Sequence, residues 1–205
     1  MNVTVVEHPL TRHFLSVLRD RNTSPDAFRA AARRLTYTLI LEATAGVPTT
    51  AYELETPLEP ARGHRMTDVV AVAVLRAGLG LLDAVVDLLP DVQVGFAGVQ
   101  RNEDTAEPME YYAKLPDVSK AAVLVLEPML ATGGSLSWAV GKVKESGATN
   151  VTAMCVVVAP QGAARMEAEH PDVRIVTASL DRDLNDRWYI QPGLGDMGDR
   201  LFGTL

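Results

Sequence analysis

The sequence predicts an α/β protein with a central, mostly parallel β-sheet flanked by helices. Continuous apolar runs are typical of buried strands, and the segments between them have helical spacing. The apolar runs are "DVVAVAVL", "VQVGFAGV", "AAVLVL", "NVTAMCVVVA" and "VRIVTAS"; the helical segments include "GLLDAVVDLL" and "SLSWAVGKVKESG". Strands that alternate with helices predict a sheet covered on both faces. With 205 residues, the chain is expected to form a single domain whose core spans roughly residues 66–180.

The segment before this core predicts one helix and one hairpin. Ser24, Pro25 and Asp26 are typical of a helix start, and the helical spacing that follows ends near Gly46. The segment "TTAYELETPLEP" alternates and contains prolines. This pattern predicts a peripheral β-arm over residues 47–62.

Two later segments interrupt the alternation. Residues 100–116, "QRNEDTAEPMEYYAKLP", are polar and aromatic, and we expect a long structureless insertion, a second peripheral arm, of a kind that is often functional. Residues 181–205 form a glycine-rich tail. Within it we expect Asp181, Asp183 and Asp186 to form a solvated or capping cluster.

Composition and charge exclude several classes of function. The formal net charge is −7 and no run of lysine or arginine occurs, so nucleic acids and anionic membranes are not expected partners. No apolar stretch reaches membrane length and the N-terminus lacks a signal-peptide pattern, which predicts a cytoplasmic protein. The single Cys155 excludes an internal disulfide, and the histidines lack metal-ligand spacing.

The first candidate site is Arg76 in "VLRAGLG", directly after an apolar strand. In open α/β sheets, ligands bind beyond the carboxyl ends of the strands. A helix start with free N–H groups favours anions, and the arginine fork suits phosphate oxygens. The alternative is a helix N-terminus whose arginine faces water.

The second candidate is the glycine loop, Thr132–Ser135, which also lies between a strand and a helix. Consecutive N–H groups in a glycine turn form a concave anion site. No lysine follows Gly134, so this is not a Walker P-loop. Glu127, five residues earlier, could accept hydrogen bonds from sugar hydroxyls, and this order suits a ribose 5-phosphate group. The alternative is an ordinary capped helix start.

The third candidate lies in the tail, where "GLGDMG" matches G-x-G-x-x-G. Only seven residues follow Gly198, so no βαβ unit can be completed and a dinucleotide site is rejected. The glycines instead indicate an ordered loop that exposes backbone amides to a ligand. The alternative is a frayed terminus, which the nearby Trp188, Tyr189, Ile190 and Leu194 make less favourable.

These segments together resemble type I phosphoribosyltransferases, in the form found in the uracil branch. "LEPMLATGGS" resembles the loop of that family that binds 5-phosphoribosyl 1-diphosphate (PRPP), and Pro128 stands where other branches usually carry a second acid. "EHPL", "VLRAGLG", "RNEDTAEP" and "YIQPGLGDMGDRLFGT" resemble further family segments in the same order. The similarity covers nearly the whole chain.

The resemblance implies the type I fold, with a C-terminal tail that binds the base. It implies transfer of the phosphoribosyl group of PRPP to uracil, giving UMP and pyrophosphate, with Mg²⁺ carried on PRPP and no metal bound directly by the protein. It assigns PRPP binding to Arg76, Arg101, Glu127, Pro128, Met129, Leu130, Ala131, Thr132, Gly133, Gly134, Ser135 and Asp196. It assigns uracil binding to Ile190, Gly195, Asp196 and Met197, largely through backbone groups. It gives catalytic roles to Arg76 and Asp196 and places a flexible arm, "RNEDTAEP", over the site.

The sequence departs from the family pattern at three positions. Glu127 stands where this branch usually has Asp, Gln161 where Glu is expected, and Met197 where a small residue is expected beside the base. We expect the larger Met197 side chain to affect the base pocket. The resemblance also suggests a homodimer or homotetramer and a possible GTP effector. A non-catalytic PRPP or nucleotide sensor that regulates pyrimidine genes, or an enzyme for a different base, is the alternative function.

Overall fold

The computed structural model describes residues 2–101 and 108–204. Its strands are β1 (Val3–Val5), β2 (Thr49–Glu55), β3 (Pro60–Met66), β4 (Val69–Leu75), β5 (Gln93–Arg101), β6 (Pro108–Lys114), β7 (Ala122–Leu126), β8 (Met129–Leu130), β9 (Asn150–Val158), β10 (Arg174–Leu180), β11 (Asp183–Leu184) and β12 (Ile190–Gln191). Its helices are α1 (Pro9–Arg19), α2 (Pro25–Thr44), α3 (Leu79–Leu88), α4 (Gly134–Glu145), α5 (Pro160–Glu169) and α6 (Met197–Phe202).

The central sheet confirms the predicted α/β class. Its strand order is β1-β10-β9-β7-β4-β5-β6, and β8 pairs with β9 beside this path. Every pairing in it is parallel except that of β5 with β6. The carboxyl ends of the parallel strands therefore meet at one edge, where the candidate segments follow β4 and β7.

Successive side chains of the strands pack into two separate hydrophobic cores, one on each face of the sheet. Ala71 and Leu124 pack with buried residues of α1, α2, α3 and α6 on one face. Val70 and Val123 pack with α4 and α5 on the other face. Because successive side chains of a strand point to opposite faces, a continuous apolar run is what a sheet covered on both sides requires.

The predicted first helix and first arm are both present. Helix α2 begins at Pro25 after Ser24 and ends just before Gly46. Strands β2 and β3 form an antiparallel hairpin that is a separate two-stranded sheet. The hairpin extends to Met66, four residues beyond the predicted arm, and Leu58 at its turn is 95% exposed.

The expectation of a structureless insertion over residues 100–116 is corrected. Strand β5 continues to Arg101, and β6 returns antiparallel beside it as the edge strand of the central sheet. Pairing with β5 satisfies the backbone groups of this segment, and its aromatic residues Tyr111 and Tyr112 favour an extended chain. Residues 102–107, which hold most of the predicted flexible arm, lie outside the described residues.

Within the described ranges, none of the helices combines the length and apolar character that crossing a lipid bilayer requires.

Candidate active site

The glycine loop follows β7 and is tied to its neighbour β9 by backbone hydrogen bonds. The carbonyl of Pro128 accepts from the N–H groups of Val156 and Val157, at 2.9 and 3.1 Å. The carbonyl of Leu130 accepts from the N–H of Ala159 at 2.8 Å. These bonds fix the chain between Glu127 and the loop against a buried strand, so the loop begins from a rigid position.

Within the loop, the backbone turns so that several N–H groups remain available. Gly133 has a φ of 85°, a left-handed conformation that side chains rarely adopt, and precedes the first residue of α4. Among the described residues, no protein acceptor is recorded for the N–H groups of Thr132–Ser135. Free N–H groups at a helix N-terminus carry a partial positive charge, which suits an anion. The loop therefore has the backbone geometry that an anion site requires, and anion binding stays a prediction.

Arg76 lies at the same sheet edge, after β4, and reaches the tail. Its side chain is largely exposed, and its Nη2 lies 3.5 Å from Oδ1 of Asp199. Thr204 donates its hydroxyl to the same carboxylate oxygen at 2.7 Å. Leu75 and Arg76 are joined by a cis peptide bond. Arg101 ends β5 at this edge, and the structure describes its backbone only.

Asp196 and Glu127 bring two carboxyl groups together between these segments. Asp196 precedes α6 and its Oδ1 accepts from the N–H of Asp199 at 2.9 Å, which caps the helix. Burial, with a smaller contribution from the charge of Asp196, raises the pKa of Glu127 to about 8 against the opposing effect of the Met129 N–H. Two neighbouring carboxyl groups in a partly dry site can be stabilised by a bound cation or by a ligand that donates hydroxyl groups.

A cavity of about 260 Å³ is lined in part by Asp196. Three of the predicted uracil residues, Ile190, Gly195 and Asp196, line it. Two residues that the resemblance assigns to PRPP, Met129 and Ala131, also line the cavity. Its remaining walls are formed by Arg187, Trp188 and Tyr189. The cavity thus lies between the segment that contains Met129 and Ala131 and the tail. Its volume is close to that of small-molecule pockets.

Met197 does not line this cavity. Its side chain is fully buried in the core that α6 shares with α1, α2 and α3. This burial argues against the expectation that the side chain affects the base pocket, because Met197 begins α6 and packs into the protein. Gln161, the other unusual residue near the site, is exposed in the first turn of α5.

The tail is anchored by an ion pair that the sequence did not reveal. Asp181, expected in a solvated cluster, is buried, and Arg19 of α1 donates to both its carboxylate oxygens, at 2.6 and 2.8 Å. The same carboxylate accepts from the N–H of Gly193 at 2.9 Å, while Arg19 also donates to the Gly193 carbonyl. Burial opposes ionisation of Asp181, but these bonds outweigh it and hold its pKa below the ordinary value.

A second arginine fastens the tail from the other side. Arg200 of α6 donates to the carbonyl of Leu194 at 2.7 Å and to those of Leu18 and Asp20. Its guanidinium lies 4.3 Å from the ring centre of Phe28. Both ends of the loop that borders the cavity are thus held by charged groups, and no local pattern in the sequence marks these partners.

Comparison with known proteins agrees with this geometry. The sequence family described as uracil phosphoribosyltransferase matches residues 5–204. A uracil phosphoribosyltransferase from Fervidobacterium nodosum is 45% identical over 203 residues and covers 98% of both chains. One from Thermosipho melanesiensis is 46% identical over 207 residues and covers both chains completely.

Solved structures show the same architecture. The AQ2163 protein from Aquifex aeolicus has a TM-score of 0.93 and 35% identity, with 98% of this chain and 97% of that chain covered. An orotate phosphoribosyltransferase from Mycobacterium tuberculosis, solved with PRPP, has a TM-score of 0.52 at 17% identity, covers 93% of this chain and 99% of that one, and shares the fold. From its sequence, its fold and the segments at the sheet edge, the chain belongs to the uracil phosphoribosyltransferase family.

Proposed function

We propose that this site transfers the 5-phosphoribosyl group of PRPP to uracil, giving UMP and pyrophosphate. One observation carries the assignment of the site: a glycine loop with free N–H groups, a pair of carboxyl groups and a small cavity lie together at one sheet edge. UMP likewise joins a phosphate, a ribose and a base. Family membership supports the same reaction.

The phosphate and the ribose are assigned to the segment from Glu127 to Ser135. The free N–H groups of the glycine loop would receive the 5-phosphate. The carboxyl group of Glu127, five residues earlier, would bond the ribose hydroxyls. Leu130 supports this segment without contacting the ligand through its side chain, since that side chain is buried.

The base is assigned to the cavity under the tail. Backbone groups near Ile190 and Gly195 would read the alternating acceptors and donors of uracil. Cytosine reverses part of this edge and would leave buried groups unpaired, at a cost of roughly 1–3 kcal/mol each. The side chain of Met197 takes no part in this reading, because it is buried in the core.

In the reaction, a bond forms between N1 of uracil and C1 of the ribose as the bond from C1 to pyrophosphate breaks, and the N1 proton is released. Positive charge develops on the ribose and negative charge on the departing pyrophosphate. Arg76, which is largely exposed at the sheet edge, would neutralise the pyrophosphate, and holding both reactants in line would lower the barrier further. Asp196 would face PRPP from the tail.

Magnesium is expected to enter on PRPP. No group of three or more potential ligand side chains suited to a resident metal occurs among the described residues. The adjacent carboxyl groups of Glu127 and Asp196 nevertheless suit a hydrated cation that is bound mainly by substrate phosphates. Such a cation supplies charge to the leaving group when bound.

The decisive experiment incubates the purified protein with PRPP, Mg²⁺ and each nucleobase in turn, and measures nucleotide and pyrophosphate. We expect UMP from uracil and little product from cytosine. If another base is converted and uracil is not, the assignment of uracil as the substrate is wrong. Binding of pyrimidine-gene RNA at physiological salt without turnover would favour the regulatory alternative.

Self-association is a further part of the proposal. Leu10 and Leu41 are more than half exposed beside a cavity of about 560 Å³ lined by α1 and α2, and Leu58 is exposed on the β2–β3 hairpin. Apolar surface of this kind supports a homodimer or homotetramer. Sedimentation equilibrium would measure the assembly state, and a monomer at assay concentration would contradict it.

A GTP effector is the last part of the proposal. A separate cavity of about 510 Å³ between α2, α3 and α6 is lined by Arg29, Arg33 and Arg34 together with Tyr37. Its size and charge suit a nucleoside triphosphate. Initial rates with and without GTP would measure the effect, and identical rates over the full range of PRPP concentrations would refute it.

A further inference from the structure

Helix α5 packs directly against the glycine loop. A Cβ atom placed on Gly162 would lie 2.6 Å from the carbonyl oxygen of Ala131, so only glycine permits this approach. From the other side, a Cβ atom on Gly133 would lie 3.1 Å from the carbonyl oxygen of Gly162. The first turns of α5 therefore form a wall of the loop that Thr132–Ser135 make.

One cation on this wall faces the loop. The Cβ position of Gly133 lies 3.2 Å from both Cβ and Cδ of Arg165, and that of Gly134 lies 3.3 Å from its Nη1. The Arg165 side chain thus runs along the loop and brings its guanidinium to the first turn of α4. Its side chain is 40% exposed, so its charge is accessible from the solvent side.

Within the described ranges, the guanidinium bonds a protein acceptor through its Nε group alone. Nε of Arg165 donates to Oε1 of Glu169 at 2.9 Å, and Glu169 in turn accepts the hydroxyl proton of Ser137 on α4. Chiefly through that Ser137 bond, the pKa of Glu169 is lowered, so the carboxylate is charged and fixes Arg165 at neutral pH. Among the described residues, no protein acceptor is recorded for the Nη1 and Nη2 groups of Arg165.

We propose that Arg165 binds the 5-phosphate of PRPP and of UMP, and that Ser137 and Glu169 position it. The inference rests on the proposed placement of that phosphate at the glycine loop. The loop offers N–H groups and hydroxyls but no cationic side chain of its own, whereas a phosphate monoester carries nearly two negative charges. An arginine with free Nη groups supplies the missing charge and can bond two phosphate oxygens.

A solvated pair between Arg165 and Glu169 on the surface of α5 is the competing explanation. A pair of that kind needs neither the bond from Ser137 nor contact with the loop. It would also leave ligand binding unchanged when removed, because exposed ion pairs contribute little. The two explanations therefore differ in a measurement of binding.

The test compares UMP with uridine, which lacks only the phosphate, by calorimetry on the Arg165→Gln and Arg165→Lys variants. We expect Arg165→Gln to weaken UMP binding by about 10- to 30-fold, as loss of a charge-assisted hydrogen bond implies, and to leave uridine within about twofold. Arg165→Lys should recover part of the loss. In turnover, KM for PRPP should rise while kcat stays within about threefold.

Control variants separate the possible failures. Arg182→Gln removes an exposed arginine that pairs with Asp183 and donates to the side chain of Gln191, and it should leave UMP binding unchanged. Ser135→Ala alters the loop itself and should weaken UMP binding whether or not Arg165 contacts the phosphate. If Ser135→Ala weakens UMP and Arg165→Gln does not, the assignment of Arg165 is wrong. If neither variant affects UMP, the phosphate lies elsewhere and the proposed site fails with it.

Positioning by Glu169 has its own readout. Glu169→Gln keeps the size of the side chain but loses the charge that holds Nε of Arg165. We expect a rise in KM for PRPP smaller than that of Arg165→Gln, no change in kcat, and no further loss in the double variant. Additive losses in the double variant would show that Glu169 does not act through Arg165.

Discussion

The glycine loop and the tail both form parts of one site, but they are held in place by different means. The glycine loop follows β7 and is tied to the neighbouring strand by backbone bonds within about 30 residues of sequence. The tail loop is held by Arg19 and Arg200, and the pair of Arg19 with Asp181 joins residues 162 positions apart. A loop built on adjacent strands is therefore determined locally, whereas the position of the tail depends on distant charged groups.

Removing the tail anchor should have the largest effect on stability. Asp181→Asn leaves the partly buried Arg19 guanidinium without its counter-charge, and we expect the free energy of unfolding to fall by about 3 kcal/mol. Because native Asp181 has a lowered pKa, its contribution is present above the ordinary pKa near 4 and is lost as pH falls through the native value. Urea denaturation at pH 7 and at pH 3 measures both effects.

Asp186 supplies the matched control for this variant. It belongs to the same group of aspartates but is exposed, so Asp186→Asn should change stability by less than about 0.5 kcal/mol. Equal losses for the two variants would mean that the Arg19 pair does not anchor the tail.

Met197 tests whether the tail contributes this side chain to the core or to the base pocket. Met197→Ala removes a fully buried side chain, and we expect unfolding to become easier by roughly 2–4 kcal/mol. The preference for uracil over cytosine should not change, whereas Ile190→Ala, at the cavity wall, should raise KM for uracil. A changed base preference in Met197→Ala would place the side chain at the base after all.

Variants of Arg76 test the part of the site where the sheet edge meets the tail. Arg76→Ala should lower kcat/KM for PRPP by about 100-fold and leave KM for uracil within about threefold, because its charge acts on the pyrophosphate. Asp199→Asn removes the charge that pairs with the exposed Arg76 but keeps an oxygen that can accept from Thr204, so it should have a small effect. An equal loss for both substrates would contradict the proposed role of Arg76.

Glu127 tests the segment between β7 and the loop. Its pKa of about 8 in the free protein lies above the ordinary value of 4.5, so the native state keeps a proton that the unfolded chain releases. Stability should fall as pH rises from 4.5 through 8, and Glu127→Gln should lack this fall, gaining about 4 kcal/mol relative to the parent between pH 5 and pH 9. Parallel stability profiles would refute the shift. Glu127→Asp should retain turnover, since either acid can bond a ribose hydroxyl.

The sequence predicted what depends on local pattern. Continuous apolar strands predicted the parallel sheet, and Gly133 between a strand and a helix predicted the tight turn before α4. It did not predict that Asp181 would pair with Arg19, because no local pattern records a contact between chain ends. The sequence also did not predict that the Met197 side chain is buried. Helix α6 has only six residues, which is too short for its periodicity to identify the buried side.

The anchoring of Asp181 by Arg19 also bears on how the protein is synthesised. The strands around β7 and the glycine loop leave the ribosome well before the tail does, and chains fold from the N-terminal side as they emerge. The cavity proposed for the base, in contrast, needs α1 and α6 at once, so it is completed only after α6 has left the ribosome. A truncated chain that lacks the tail is therefore expected to keep a phosphate-binding turn while having no means to choose a base.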